Sequence, residues 1–211
     1  MVIPREARKI TNSNELRLLR KSLALDSMQK DFLVGTLLGD GGLNTSFRNF
    51  RLVIQHGLAQ KSYVDWKYKL LKNWTLQKPK FSPWNNSIGF RTVSHPQLTE
   101  YHQLFYRDKR KVVPKSIGNL LNPFVLAVWY MDDGNIRRQN GKVYGYYLNT
   151  QSFSLVENRK LSGILHKKFD IKSYVLKNKK GYRLYFGSQA KKILPKLIGS
   201  YIIPSLQYKI R

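Results

Sequence analysis

Leu33-Val-Gly-Thr-Leu-Leu-Gly-Asp-Gly41 and Leu126-Ala-Val-Trp-Tyr-Met-Asp-Asp-Gly134 are two versions of one segment. Each is a short, mostly apolar run that ends in Asp-Gly. Such runs predict buried helices that carry Asp40 and Asp133 to the same C-terminal tip. The patterns around both copies also repeat. After the first come strand-like 47–56, helical 61–74, strand-like 81–93 and helical 97–106. After the second come strand-like 142–151, helical 155–169, a hairpin pairing 173–176 with 182–186 around Asn178-Lys-Lys-Gly181, and helical 189–198. These are period-two and period-3.6 patterns separated by turn residues.

Both halves therefore read α-β-β-α-β-β-α, an α+β fold with internal pseudo-symmetry. The divisions are a basic N-terminal arm at 1–30, an N-terminal half at 31–108, a linker rich in Lys, Pro and Asn at 109–123, and a C-terminal half at 124–211. Two antiparallel sheets packed through the repeated helices predict one saddle-shaped surface that matches duplex DNA. Gly35 and Gly39 allow the first helix to approach a partner closely, and Val128 and Asp132 stand at those places in the second.

Composition narrows the partner. The 211 residues carry 38 Lys+Arg against 12 Asp+Glu, a formal charge of +26 and a pI near 10.3. With 42% hydrophobic residues the chain buries a core, which excludes a disordered basic tail. The charge implies a long polyanion, nucleic acid before membrane. Absence of cysteine excludes disulfides, thiolate zinc sites and a cysteine nucleophile. The longest apolar run, 124–131, falls far short of the roughly 20 residues of a bilayer span. The N-terminus has Arg5, Arg8, Arg17 and Arg20 but no apolar signal core. Glu6, Glu15 and Asp26 argue against a transit peptide.

Among the acids, only Asp40, Asp132 and Asp133 lie inside the repeats. A carboxylate at the C-terminal end of a helix opposes the helix dipole, so a cation must compensate. Two such carboxylates brought together in a basic groove form a hard-oxygen site for Mg²⁺. Metals on such a pair can activate water and stabilise the leaving oxygen of a phosphodiester. Either Asp-Gly alone is an ordinary helix end, but two in the same relative position are not.

The paired segments resemble the signature of LAGLIDADG homing endonucleases, with Asp40 and Asp133 at the penultimate, metal-binding position. The likeness covers nearly the whole chain and is closest to the single-chain, two-motif, intron-encoded type. Leu148-Asn-Thr-Gln-Ser-Phe153 and Pro204-Ser-Leu-Gln-Tyr-Lys209 are also similar to that subfamily. The resemblance implies a monomeric, Mg²⁺-dependent endonuclease holding two or more divalent ions. It would cut both strands of a long DNA target and so promote intron mobility. An intron RNA maturase, with intron RNA as partner, and a catalytically silent DNA-binding regulator are the alternatives. The implied compartment is a mitochondrion or chloroplast, with a prokaryotic cytoplasm left open. The resemblance implies Lys111 and Lys209 as the basic residues at the scissile phosphates. It also gives main-chain Gly39 and Asp132 to the metals, while the Asp132 side chain is read as a cap or interface group.

For DNA binding, strand alternation puts Asn49, Arg51 and Gln55 on one face, away from Phe50, Leu52 and Ile54. The second half offers Arg137, Arg138, Lys142, Tyr144 and Tyr146. Its late hairpin offers Lys177, Lys179, Lys180 and Arg183, read as phosphate contacts. Gln55 and Gln151, at equivalent strand ends, are candidates for ordering water or bases. His56, His95, His102 and His166 show no paired metal spacing and are read as structural or DNA-facing. Trp66 and Trp74 are read as core, and Trp84 is left open.

Overall fold

The computed structural model describes residues 14–46 and 48–211. The first part of the arm and Phe47, at the start of the first expected strand, lie outside them. A helix α1 (Asn14–Ser22) precedes α2 (Ser27–Leu38). Asp26 and Gln29 cap α2 reciprocally: the Gln29 amide donates to Asp26 Oδ1 at 2.8 Å and the Asp26 amide to Gln29 Oε1 at 3.3 Å. Next come β1 (Gly42–Ser46), β2 (Asn49–Gly57), α3 (Lys61–Leu70), β3 (Lys80–Ser82), β4 (Ser87–Arg91) and α4 (Pro96–Phe105). The connection holds a two-strand ladder, β5 (Tyr106–Arg107) and β6 (Arg110–Lys111), then a short α5 (Ile117–Leu120). The repeat resumes with α6 (Pro123–Asp133), β7 (Gly134–Gln139), β8 (Lys142–Leu148), α7 (Leu155–Phe169), β9 (Ser173–Asn178), β10 (Gly181–Phe186) and α8 (Ala190–Ile198). A 3₁₀ segment, Pro204–Lys209, closes the chain.

The α-β-β-α-β-β-α order is thus present in both halves. Strand order is β1-β2-β4-β3 in one sheet and β7-β8-β10-β9 in the other, the same antiparallel pattern. The expected strand at 47–56 corresponds to β2 alone, so β1 was missed, and the expected strand at 81–93 holds two strands, β3 and β4. The sequence reading also missed β7, and it took β6 and α5 as linker. Both β1 and β7 are mostly polar edge strands that follow the Asp-Gly ends of the repeated segments, so no alternation of apolar residues announces them.

Contacts divide the chain into two units. One joins the described residues up to Lys30 with Gly41–Leu104, and the other joins Asp31–Asp40 with Phe105–Arg211. In the first, α3 covers the sheet through buried Tyr63, Val64 and Tyr68 against Leu52, Ile54 and Phe90. In the second, α7 and α8 cover the sheet, and α6 is buried from Val125 to Met131. The Asn122 side chain accepts the Val125 amide, and Pro123 occupies the first turn of α6. Ser154 and Glu157 form a full capping box on α7. No helix among the described residues is long and apolar enough to cross a membrane.

Candidate active site and nucleic-acid interface

The site begins with glycine. A Cβ on Gly35 would lie 2.7 Å from the Val125 carbonyl oxygen and 2.7 Å from Val128 Cβ, and one on Gly39 would lie 2.5 Å from Asp132 Cβ. The last turn of α2 therefore packs backbone against α6, closer than any side chain permits. This brings the tips bearing Asp40 and Asp133 together. Asp132 Oδ2 accepts from Thr36 Oγ1 at 3.0 Å and from the Asp40 amide at 3.2 Å. Its side chain ties the two helices, the cap and interface position read from the sequence. Thr36, fully buried in an otherwise apolar run, was overlooked; its polarity there was the available signal.

Two lysines meet the helix ends. Lys111 Nζ donates to the Gly39 carbonyl at 2.5 Å, and Lys209 Nζ to the Met131 and Asp132 carbonyls at 2.5 and 3.2 Å. Gly39 and Asp132 precede Asp40 and Asp133, so each lysine caps the same point of its helix and offsets the negative dipole end. Lys209 is buried, held in the 3₁₀ segment where Tyr130 Oη donates to its carbonyl at 2.9 Å. Asn149 fixes the other side of the tip: its amide and its Nδ2 both donate to the Asp133 carbonyl, at 3.1 and 2.8 Å. The role of Asn149 was not read from the sequence, although the string containing it stood out.

Burial first, then the charges of Asp40 and Asp132, push the Asp133 carboxyl up to about 8, against the opposing pull of Lys111 and Lys209. Two lysines leave the carboxylate cluster short of positive charge. The donors are hard oxygens, and Asp40 and Asp133 could therefore hold a divalent cation such as Mg²⁺.

On the first sheet, Leu52, Ile54 and His56 are buried while Asn49, Arg51 and Gln55 take the other face. Thr99 Oγ1 donates to Asn49 Oδ1 at 3.2 Å, and Gln55 Nε2 to Ser87 Oγ at 2.6 Å. On the second sheet a register shift between Arg137 and Arg138 breaks simple alternation. Tyr146 consequently does not face solvent: it is 2% exposed, and its hydroxyl donates to the Ile210 carbonyl at 3.2 Å. That corrects its assignment to the DNA-facing set. Tyr147 takes the open face instead. The Arg183 guanidinium lies 3.8 Å from the Tyr147 ring, Arg137 lies 5.2 Å from the Tyr185 ring, and the two rings are 5.2 Å apart. Arg183 is thus on the sheet face rather than among the turn lysines. Arg138 reaches the Arg211 carbonyl, Lys142 and Tyr144 are exposed, and Gln151 donates to Asn149 Oδ1 at 3.3 Å. Lys177, Lys179 and Lys180 are exposed at the β9–β10 turn.

Three of the histidines are engaged in packing and His166 is exposed. His56 meets buried Lys67 Nζ at 3.0 Å, His95 meets the Arg20 carbonyl at 3.0 Å, His102 stacks on Phe50, and His166 lies 3.6 Å from Asp170. Trp74 is core, and Trp84 is 97% exposed.

A family model described as the LAGLIDADG DNA endonuclease family matches residues 30–194. The chain belongs to that family. The cytochrome b mRNA maturase bI2 of Debaryomyces hansenii is 31% identical over 200 residues, 88% of this chain and 74% of that protein. A probable intron-encoded DNA endonuclease of Mycosarcoma maydis is 38% identical over 129 residues, 59% of this chain and 93% of that one. Among solved structures, the homing endonuclease I-WcaI bound to its DNA recognition sequence aligns with a TM-score of 0.86 at 24% identity, covering 95% and 94% of the two chains. The LAGLIDADG fold is shared with that structure, and α2 and α6 are the signature helices here.

Proposed function

We propose that this chain is a sequence-specific, Mg²⁺-dependent endonuclease that cuts both strands of a long DNA target, acts as a monomer and promotes mobility of its intron. The observation that carries the reading is the matched pair of helix tips, each with an aspartate and a lysine anchored to the carbonyl just before it. Asp40 and Asp133 would hold the metal. When bound, Mg²⁺ supplies an acidified water and stabilises charge on the phosphate. The chain's own residues do the rest. Lys111 and Lys209, each pinned to a main-chain oxygen, hold fixed positive charge beside the place where phosphate charge develops, without reorganising during reaction. Asn149 and Asp132 keep the tips from shifting. Main-chain Gly39 and Asp132 already accept from the lysines, so any metal contact there is shared with an ammonium.

The open sheet faces would bind DNA: Asn49, Arg51, Gln55, Arg137 and Arg183 toward base edges, and Lys142, Lys177, Lys179 and Lys180 toward phosphates. Relatives named as cytochrome b mRNA maturases fit an organelle as the compartment. The name of the Debaryomyces hansenii relative favours a second reading, an intron RNA maturase. The deciding experiment is cleavage of a duplex library spanning the intron-less host site, with Mg²⁺, with Ca²⁺, and with Asp40→Asn or Asp133→Asn. Specific cutting in Mg²⁺ that both variants lose, with binding retained in Ca²⁺, is the expected result. Tight binding without cutting by the unmodified chain would overturn the nuclease and direct attention to splicing of the intron RNA.

A further inference from the structure

Between β6, which carries Lys111, and α6, which carries Asp133, the chain is regular only over the short α5. Its other amides and carbonyls need partners from elsewhere, and one face of α7 supplies them. Glu157 Oε1 accepts from the Val113 amide at 2.7 Å. Lys160 Nζ donates to the Pro114 and Lys115 carbonyls at 3.0 and 3.1 Å, and Lys168 Nζ to the Gly118 and Leu121 carbonyls at 2.8 and 2.6 Å. Positions 157, 160, 164 and 168 follow helical spacing, and a Cβ on Gly118 would lie 3.8 Å from Ile164 Cδ1, on the same stripe. The helix α7 therefore grips this connection along its length.

Within this grip Glu157 holds the point nearest the site. Its Oε2 accepts from the Ser154 amide and hydroxyl at 2.8 and 2.7 Å, which completes the capping box and leaves Oε1 for the Val113 amide. Burial raises its carboxyl, but the Val113 amide, Ser154 and then the charge of Arg110 bring it below the ordinary carboxylate range. An ionised acceptor makes the bond to Val113 one of the stronger kind. The strand it restrains is small. Lys111 pairs with Tyr106 in a ladder of two residues a side, and the Val112 amide donates to the Phe105 carbonyl at 2.8 Å. So short a ladder does not fix itself. From it Lys111 reaches the Gly39 carbonyl beside Asp40.

We propose that Glu157 is a positioning residue for Lys111: by holding the Val113 amide it fixes the strand from which Lys111 meets the tip of α2. This rests on the nuclease reading above. Each tip pairs one aspartate with one lysine, and a duplex has two strands, so each lysine serves one scissile phosphate. Lys209 is fixed by the 3₁₀ segment instead, with Tyr130 Oη on its carbonyl. Loss of Glu157 therefore acts on the cut made with Lys111 and spares the cut made with Lys209.

The test follows the cutting of each strand separately, on an end-labelled duplex of the target selected from the library, with Mg²⁺ and the full chain. Residue-resolved hydrogen exchange of the metal-free chain is measured beside it. Glu157→Ala should slow one strand by about 10- to 100-fold relative to the other, and it should be the strand that Lys111→Met slows and Lys209→Met does not. Ser154→Ala breaks the same capping box but leaves the Val113 bond, so it should keep the parent's ratio of strand rates. The Val112 amide should exchange about tenfold faster in Glu157→Ala than in the parent or in Ser154→Ala, the weight of one hydrogen bond to a charged group. If Glu157→Ala fails to fold, Glu157→Gln, which keeps an acceptor but loses the charge, is read in the same two ways with a smaller shift. Equal slowing of both strands, or unchanged exchange at Val112, would overturn the positioning role. A parent that cuts neither strand overturns the nuclease reading instead, and the exchange at Val112 still decides whether Glu157 holds the Lys111 strand.

Discussion

In the proposed nuclease, Asp133 is the residue on which stability and function oppose each other. Its carboxyl sits near 8 in the fold, against 3.8 for an unperturbed one. Above about pH 4 the unfolded chain releases this proton while the folded chain keeps it. Stability of the metal-free protein should therefore fall as pH rises from about 4 to about 8, by a few kcal/mol. Asp133→Asn removes that slope and Asp40→Asn lessens it, so both variants should melt higher than the parent at pH 7.5 without metal while losing cleavage. Thermal unfolding at pH 5 and 7.5 checks this; parent and variants with identical pH slopes would refute it. Mg²⁺ should raise the parent's melting point at pH 7.5 and leave Asp133→Asn nearly unchanged. The lysines differ in a second measurable way. Lys209 is 8% exposed and serves two carbonyls, so Lys209→Met should cost roughly 2–4 kcal/mol in denaturant unfolding. Lys111 is less buried and bonds the Gly39 carbonyl, so Lys111→Met should cost about 1 kcal/mol. Cleavage should drop in both.

At the scale of elements, the α2–α6 contact depends on two missing side chains. Gly35→Ala would drive a methyl into the Val125 carbonyl and Val128, so it should destabilise the protein by about 1–3 kcal/mol in denaturant unfolding, despite alanine's better helix propensity. A neutral or stabilising outcome would mean that the helices are not in backbone contact. This close approach was legible in the sequence, because small residues on one helix faced Val128 and Asp132 on the other. The helices α7 and α8, the β9–β10 hairpin and the repeat order were legible for the same reason: periodicity and turn residues agree there. The edge strands β1 and β7 were not. They are polar, and their neighbours β2 and β8, rather than their own side chains, supply the reason to be extended. Tyr146 was misplaced by the same blindness. Period-two counting holds until a bulge, and the shift at Arg137/Arg138 is made by pairing, which no local pattern encodes. The aspartates were readable because they recur; the partners that hold them, Thr36 and Asn149, occur once each.

At the scale of the whole molecule, a charge of +26 predicts how binding responds to salt. Each neutralised phosphate contributes a slope of about −0.9 in log K against log salt, so a duplex contacting 6–10 phosphates should lose roughly 10³–10⁵ in affinity between 50 and 200 mM salt. The geometry divides the cations into two kinds. Lys179 and Lys180 are exposed on a turn, free to follow a backbone; removing either should weaken all sequences alike and reduce the slope by about one. Arg183 lies over the Tyr147 ring, and Arg137 lies near Tyr185, an arrangement that restricts the guanidinium groups instead of letting them roam. Tyr147→Leu should therefore leave the salt slope nearly unchanged but relax base preference at one position of the target, by about 1–3 kcal/mol of discrimination. Binding measured across salt on a target set with single-base changes separates the two effects. If Tyr147→Leu lowers the slope and keeps the preference, Arg183 touches phosphate after all, and the tyrosines on the sheet face do no more than pack.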